Sequence, residues 1–148
     1  MDHVRIEIAD RVAMVILDRP PVNALSYQTF DEIARAMEEL STGREASAIV
    51  LRAADDSRLF CGGVDLQDSP KRFRPDGRRG DGEPQGDARD QIDPGRIARR
   101  CFNSIFECGL PVIAAVRGKV IGAGVAIVAS CDLVVASTDA TFALTEIN

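Results

Sequence analysis

The stretch PVIAAVRGKVIGAGVAIVASCDLVVA, residues 111–136, alternates short apolar segments with glycine and polar turns. Residues 111–116 are apolar at every side-chain position, which is typical of a strand buried on both faces of a parallel sheet. Gly118 predicts a turn, residues 122–131 predict a helix buried all round, and residues 133–136 predict the next strand. This order of strand, helix and strand indicates an α/β fold.

The N-terminal region predicts a hairpin followed by a helix. Residues 2–8 alternate between apolar and polar side chains, and residues 12–17 are more apolar, with a tight turn at Asp10–Arg11. Residues 26–40 predict a helix that begins with a serine cap and stops at Gly43. Its apolar stripe consists of Phe30, Ile33, Ala34, Met37 and Leu40.

Further elements follow in alternation. Residues 48–53 predict a short buried strand, and LFC at 59–61 predicts a second one that runs into two glycines. Asp93–Pro94 predicts the start of a helix that ends at Gly109, and residues 141–144 predict a last short strand. The apolar stripe of this helix is Ile97, Cys101, Ile105 and Cys108.

Residues 68–90 differ from the rest of the chain. The segment combines many charges of both signs with prolines and glycines, and Phe73 is its one large apolar residue. Such a composition buries too little apolar surface to offset the entropy of ordering. The sequence therefore predicts a single domain over residues 1–148 that contains a long mobile surface loop at 68–90.

Composition excludes several classes of protein. The 148 residues carry a net charge of −5, which leaves no basic surface for nucleic acid. No apolar run is long enough to span a membrane, and the first ten residues do not resemble a signal peptide. The four cysteines form no CxxC pair, and His3 cannot complete a zinc site. We therefore expect a cytoplasmic protein with reduced, buried thiols and no metal.

Two glycine-rich stretches suggest a common purpose. LFCGGVDL at 59–66 ends a strand in two glycines, and VIGAGVAIVA at 120–129 opens a helix with two more. Both arrangements expose backbone N–H groups, and small residues let a ligand approach the main chain. If the fold brings the stretches together, two N–H groups can point at one oxygen and form an oxyanion hole.

A dinucleotide-binding site is the alternative explanation of GAGVAI, residues 122–127. The third glycine of the GxGxxG pattern is missing, because that position is Ile127. An acidic residue at the end of the following strand is also not evident, although Glu146 lies near the expected spacing. The pattern therefore fits a dinucleotide site poorly.

The chain resembles the crotonase, or enoyl-CoA hydratase/isomerase, superfamily. The resemblance is carried by LDRPPVNALS at 17–26, LFCGGVDL at 59–66 and PVIAAVRGKVIGAGVAIVASCDLVVASTDATFALTEI at 111–147. It implies an α/β spiral of β-β-α turns, with a C-terminal helical region that these residues do not include. It also implies trimers, sometimes paired into hexamers, and an acyl-CoA thioester as substrate. Coenzyme A would enter as part of the substrate, with no separate cofactor.

The resemblance also implies roles for individual residues. The thioester oxygen would accept hydrogen bonds from the backbone N–H groups of Val64 and Ala123, and Glu146 would be the catalytic acid/base. The residues implied along the substrate path are Val22, Ala24, Gly62, Gly63, Asp65, Leu66, Gly122 and Gly124.

One departure from the family pattern decides between reactions. Hydratases of the family use two glutamates, and the position of the first is occupied here by Ala126, which cannot transfer a proton. The second position is Glu146. A single carboxylate suits an isomerase, in which it removes a proton next to the thioester and returns it two carbons along.

Two alternative functions and two alternative residue roles stay open from the sequence. The chain could be an enoyl-CoA hydratase (a lyase) of fatty-acid β-oxidation, or a relative that binds acyl-CoA without catalysis. Glu146 could be an ordinary surface carboxylate, and Asp65 could cap a short helix. Asp132 is expected to anchor backbone, and Cys61 and Cys131 are expected to be core thiols.

Overall fold

A computed structural model describes residues 1–67 and 94–145 of the chain. The segment 68–90 and Glu146, for which the sequence makes specific predictions, lie outside the described residues. The elements are, in order, β1 Val4–Ala9, β2 Val12–Leu17, α1 Tyr27–Thr42, β3 Ala48–Ala53, β4 Leu59–Cys61, α2 Pro94–Phe106, β5 Val112–Val116, β6 Lys119–Ile121, α3 Ala123–Ala129, β7 Leu133–Ala136 and β8 Thr141–Ala143.

The strands form two sheets. The larger sheet has the order β1-β2-β3-β5-β7, and only its β1–β2 pair is antiparallel. The smaller sheet has the order β4-β6-β8 and is entirely parallel. From β3 onward, each strand of the larger sheet is followed by a strand of the smaller one, so the chain advances in repeated turns. The α/β spiral of β-β-α turns expected from the sequence is confirmed.

The hairpin and the first helix match their sequence signals. Asp10 and Arg11 both have positive φ, 49° and 66°, as a two-residue hairpin turn requires. The Oγ of Ser26 accepts a hydrogen bond from the Thr29 N–H at 3.1 Å and so caps α1. All five residues of the predicted α1 stripe are buried. Gly43 ends α1 with φ −71°, so it closes the helix without the left-handed conformation that its glycine suggested.

Helices α1 and α2 pack against each other, and α1 also contacts β1 and β2 of the larger sheet. The rings of Phe30 and Phe102 meet edge to face with centroids 5.9 Å apart. Cys101 and Ile105 of the α2 stripe are buried, whereas Cys108 lies beyond the helix, which ends at Phe106. These contacts join the two helices over one hydrophobic core.

Two expectations about burial were wrong. β5 is fully buried on one face only, since Ile113 and Ala115 on its other face are half-buried. The predicted all-buried helix is shorter, Ala123–Ala129, and Ala129 is exposed. Apolar composition indicates that both segments belong to the core. It does not show which face of each segment is covered by the rest of the described chain.

Candidate active site

The pairing of β4 with β6 brings the two glycine-rich stretches together. Cys61 pairs with Val120, and the glycines follow immediately on both strands. Gly63 has φ +90°, and a Cβ there would lie 3.2 Å from the Ile121 carbonyl oxygen and 4.0 Å from Cα of Gly122. We call residues 62–64 and 121–124 the glycine junction. The fold thus brings the two glycine-rich stretches close together, as the sequence had suggested it could.

At the junction, Val64 forms an isolated parallel bridge with Leu25. The Leu25 N–H donates to the Gly63 oxygen at 2.7 Å, and the Asp65 N–H donates to the Leu25 oxygen at 3.0 Å. Because successive N–H groups of an extended chain point to opposite sides, the N–H of Val64 points away from Leu25. Within the described residues this N–H donates no hydrogen bond. It is therefore free to bind an acceptor.

Ala123 contributes a second free donor. It is the first residue of α3, so its N–H has no partner within the helix, and none of the described residues accepts from it. The N–H of Gly122, in contrast, is used by the Ala143 oxygen at 2.8 Å. The two donors implied by the resemblance, Val64 and Ala123, therefore lie on adjoining segments and have no acceptor among residues 1–67 and 94–145.

Two of the site glycines are required by packing. A Cβ at Gly124 would lie 2.7 Å from Cβ and 2.8 Å from Sγ of Cys61, so α3 approaches β4 only because residue 124 has no side chain. A Cβ at Gly62 would lie 2.9 Å from the Val22 oxygen, which already accepts the Gly62 N–H at 2.9 Å. Both glycines therefore shape the main chain around the junction, whatever contact they make with a ligand.

A cleft of about 600 Å³ is lined by residues that flank the Leu25–Val64 bridge in sequence. It brings together Val22, Ala24 and Asp65, three of the residues named for the substrate path. The apolar side chains of Val22, Val64 and Leu66 are 39, 43 and 82% exposed. The remaining residues that line the cleft are Asp2, His3, Asp18, Arg19, Pro20, Pro21 and Gln67.

Two further residues, Asn23 and Arg19, hold this region together, and neither had been assigned a role from the sequence. The side-chain amide of Asn23 is buried and donates to the carbonyl oxygens of Leu59 and Phe60, each at 3.3 Å. Arg19 forms an ion pair with Asp65, with Nη2 and Oδ2 2.6 Å apart. Asn23 has φ +50°, a backbone region that asparagine tolerates better than most residues. The asparagine itself was therefore the signal in the sequence for an unusual backbone conformation at this position.

Asp65 is engaged within the protein. Besides its pair with Arg19, its Oδ1 accepts the Gln67 N–H at 3.0 Å, as a capping aspartate would. Its carboxylate is thus held in place at the edge of the cleft, and a ligand in the cleft would contact it in this fixed position.

α3 carries no acid/base group. Ala126, one turn into the helix, is half-buried, and its carbonyl oxygen accepts from the N–H and the hydroxyl of Ser130. Glu146 follows Ala143 by three residues, and the Ala143 oxygen is bonded to the glycine junction. The structure therefore describes the donors of the candidate site and the strand that leads to Glu146.

Cys61 is a core residue as expected, and Cys101 is buried too, whereas Cys108 and Cys131 are half-buried against the core. None of the four is in a disulfide. Burial raises the pKa of the Cys61 thiol to about 11 and that of Cys131 to about 12. Thiols with such pKa values are not nucleophiles near neutral pH. Within the described residues, no helix is long and apolar enough to cross a membrane.

Comparison with known proteins identifies the family. The sequence profile described as enoyl-CoA hydratase/isomerase matches residues 7–148. The chain is 34% identical over 136 residues to the (7aS)-7a-methyl-1,5-dioxo-2,3,5,6,7,7a-hexahydro-1H-indene-carboxyl-CoA hydrolase of Mycobacterium tuberculosis, covering 92% of this chain and 49% of the relative. It is 29% identical over 150 residues to the peroxisomal Delta(3,5)-Delta(2,4)-dienoyl-CoA isomerase of Arabidopsis thaliana, covering 100% of this chain and 52% of the relative.

Solved structures agree. The crystal structure of an enoyl-CoA hydratase from Mycobacterium avium subsp. paratuberculosis superposes with a TM-score of 0.72 at 26% identity, covering 95% of this chain and 46% of that chain. The chain thus spans about half the length of the relatives it matches. The profile match over nearly all of its residues, together with this fold, shows that the chain belongs to the enoyl-CoA hydratase/isomerase family.

Proposed function

We propose that the protein acts on acyl-CoA thioesters and isomerises 3-enoyl-CoA to 2-enoyl-CoA. The observation that carries this proposal is a pair of N–H groups, Val64 and Ala123, that find no acceptor in the described part of the chain and lie on segments that the β4–β6 pairing brings together. A thioester oxygen that accepts from both donors would be stabilised when it gains negative charge. Removal of one such donor typically lowers the rate by ~10²–10³.

The proposed reaction needs one proton carrier. The Glu146 carboxylate takes a proton from C2 of the 3-enoyl thioester, and the electron pair moves onto the thioester oxygen to give a dienolate. When the dienolate collapses, Glu146 returns the proton to C4 and the double bond lies between C2 and C3. No water and no second carboxylate is needed, which agrees with Ala126 on α3.

Hydration is the less favoured reaction. Addition of water to 2-enoyl-CoA requires a group that activates water and a group that delivers a proton, and relatives divide these roles between two carboxylates. α3 supplies a methyl group at Ala126 where the resemblance places the first of them. A binding protein without catalysis stays the third candidate and would show acyl-CoA binding without turnover.

The test is a comparison of two reactions in the full-length protein. We expect faster isomerisation of 3-enoyl-CoA than hydration of 2-enoyl-CoA. Glu146→Gln keeps the shape of the side chain and removes the base, so isomerisation should fall at least ~10²-fold while the affinity for the CoA ester, measured by calorimetry, is kept. Full isomerase activity in Glu146→Gln, or rapid hydration by the unmodified protein, would contradict the assignment.

The proposed setting is a cytoplasmic homotrimer or hexamer. The four cysteines are widely spaced and form no CxxC pair, which supports a reducing compartment. Five large apolar side chains on and next to the last two strands are exposed, which supports their being covered by further polypeptide in the complete assembly. These residues are Leu133, Val134, Val135, Phe142 and Leu144.

A further inference from the structure

Residues 19–25 and residues 62–65 form two segments that meet at the Leu25–Val64 bridge. The guanidinium of Arg19 bonds to both of them. Its Nη2 lies 2.6 Å from Oδ2 of Asp65, and its Nη1 donates to the Ala24 carbonyl oxygen at 3.0 Å. The two charged side chains are only 25% and 17% exposed, so the pair is partly shielded from water. An arginine can bridge two acceptors in this way because its donors are fixed in one plane.

The segments joined by Arg19 are also connected by backbone hydrogen bonds. The Gly62 N–H donates to the Val22 oxygen, and Leu25 exchanges one bond with Gly63 and one with Asp65. Val64 sits between these bonds and directly after two glycines, one of which has φ +90°. The Gly63 carbonyl and the Val64 N–H belong to one planar peptide, so the bond from Leu25 to the Gly63 oxygen sets the direction of this N–H and depends on the two segments staying together.

We propose that the Arg19–Asp65 ion pair is a latch that fixes the Val64 N–H in the oxyanion hole, and that Arg19 is a positioning residue for the reaction. This inference rests on the proposed function. Asp65 follows Val64 directly, and its own N–H is bonded to Leu25. The ion pair therefore helps to hold together the two segments whose Leu25–Gly63 bond orients the peptide that carries the Val64 N–H. Loss of the latch lets this donor drift from the thioester oxygen.

The proposal makes a kinetic prediction that separates it from direct substrate binding, since Arg19 also lines the cleft. In the full-length protein, Arg19→Met should lower kcat at least ~10-fold, because misplacement of a reacting group by about 1 Å can cost up to 10²-fold. KM for 3-enoyl-CoA should change much less. Arg19→Lys keeps the charge and should recover part of kcat. A raised KM with unchanged kcat would show that Arg19 binds the substrate, and would overturn the latch.

A spectroscopic measurement tests the geometry itself. An oxyanion hole polarises the thioester carbonyl, so the C=O stretching frequency of a bound, ¹³C-labelled conjugated enoyl-CoA falls relative to the free ester. We expect this decrease in the unmodified protein, its loss in Arg19→Met, and a partial loss in Asp65→Asn, which keeps the side-chain shape and removes the charge. Arg35→Met is the matched control, because it removes an α1 ion pair with Asp31 instead.

The outcomes are distinguishable. A decrease in the unmodified protein that persists in Arg19→Met and Asp65→Asn overturns the latch and leaves the oxyanion hole intact. No decrease in the unmodified protein overturns the proposed function, and the latch with it. If Arg19→Met does not fold, Asp65→Asn alone decides, because it leaves the Arg19 bond to Ala24 in place.

Discussion

Gly124 of α3 lies directly against Cys61 of β4, so closely that a Cβ on residue 124 would be 2.7 Å from Cβ of Cys61. Real Cβ atoms do not approach so closely, and both positions are buried. Gly124→Ala should therefore lower the free energy of unfolding by about 1–3 kcal/mol, as overpacking of a core does. The loss should exceed the gain in helix propensity from alanine, about 1 kcal/mol.

A double-mutant cycle with Cys61→Gly checks the cause of this loss. If the contact is responsible, Gly124→Ala should cost clearly less in the Cys61→Gly background than in the unmodified protein, because the opposing Cβ and Sγ are gone. Denaturant unfolding monitored by circular dichroism gives the four free energies. Equal costs in both backgrounds would show that the contact with Cys61 is not the source of strain.

Asp132 and Val112 exchange two hydrogen bonds and connect the end of α3 to the start of β5. The Val112 N–H donates to Oδ2 of Asp132 at 2.7 Å, and the Asp132 N–H donates to the Val112 oxygen at 2.9 Å. Asp132→Ala leaves the N–H of a buried residue without its acceptor, so we expect a loss of about 1–3 kcal/mol in unfolding free energy. Asp132→Asn keeps an acceptor oxygen and should lose less. Asp56→Ala, at an exposed position, is the control and should change little.

Glu32 ties the N-terminus to α1. Its carboxylate accepts the N–H groups of Asp2 at 3.0 Å and His3 at 2.8 Å, and a side-chain N–H of Gln28 at 2.8 Å. Burial raises the pKa of Glu32, but these hydrogen bonds outweigh burial and hold its pKa below the ordinary value of 4.5. A carboxyl group whose pKa is lowered by folding stabilises the protein above its unfolded pKa, and this contribution is lost as the pH falls through the folded pKa.

The unmodified protein should therefore lose more unfolding free energy than Glu32→Gln when the pH is lowered below the ordinary pKa of 4.5. Chemical denaturation at neutral pH and at several points below that value measures the difference. Glu45→Gln, at an exposed position, serves as the control and should follow the unmodified protein. The same pH dependence in Glu32→Gln as in the unmodified protein would count against a stabilising role of the Glu32 carboxylate.

Local signals predicted the local structure well. The hairpin turn at Asp10–Arg11 and the Ser26 cap depend on neighbouring residues, and both were recognisable in the sequence. β6 was not predicted as a strand, because it has only three residues and is defined by its pairing with β4 and β8. Its Gly118 turn was predicted, and a Cβ there would lie 2.4 Å from the Arg58 oxygen.

The candidate site, like the fold, has one part that the sequence could indicate and one part that it could not. The N–H groups of Val64 and Ala123 could be named because the family resemblance assigns them, and they have no acceptor among the described residues. The ion pair of Arg19 with Asp65 could not, because the two residues are 46 positions apart and charged residues are common at protein surfaces. Long-range partners of this kind follow from the packing of the whole chain, which periodicity and spacing do not encode.

The absence of a carboxylate on α3 leads to the last prediction. Ala126 lies one turn after Ala123, at the position where the family resemblance expects the first of two glutamates. In the full-length protein, Ala126→Glu should raise the rate of hydration of 2-enoyl-CoA at least ~10-fold, since a positioned acid/base group contributes typically 10²–10⁴ and its placement here is not optimised. Isomerisation of 3-enoyl-CoA should rise less, because one carboxylate already suffices for it.

Ala129→Glu is the matched control for this gain of function. It adds the same charge to the same helix three residues further along, where the side chain is exposed to solvent. If the new carboxylate acts by binding water beside the substrate, only Ala126→Glu should gain hydratase activity, and Glu146→Gln should abolish that gain because hydration needs both groups. A similar gain in Ala129→Glu would mean that added negative charge, and not the position of the carboxylate, changes the rate. Steady-state kinetics with both thioesters decides between these outcomes.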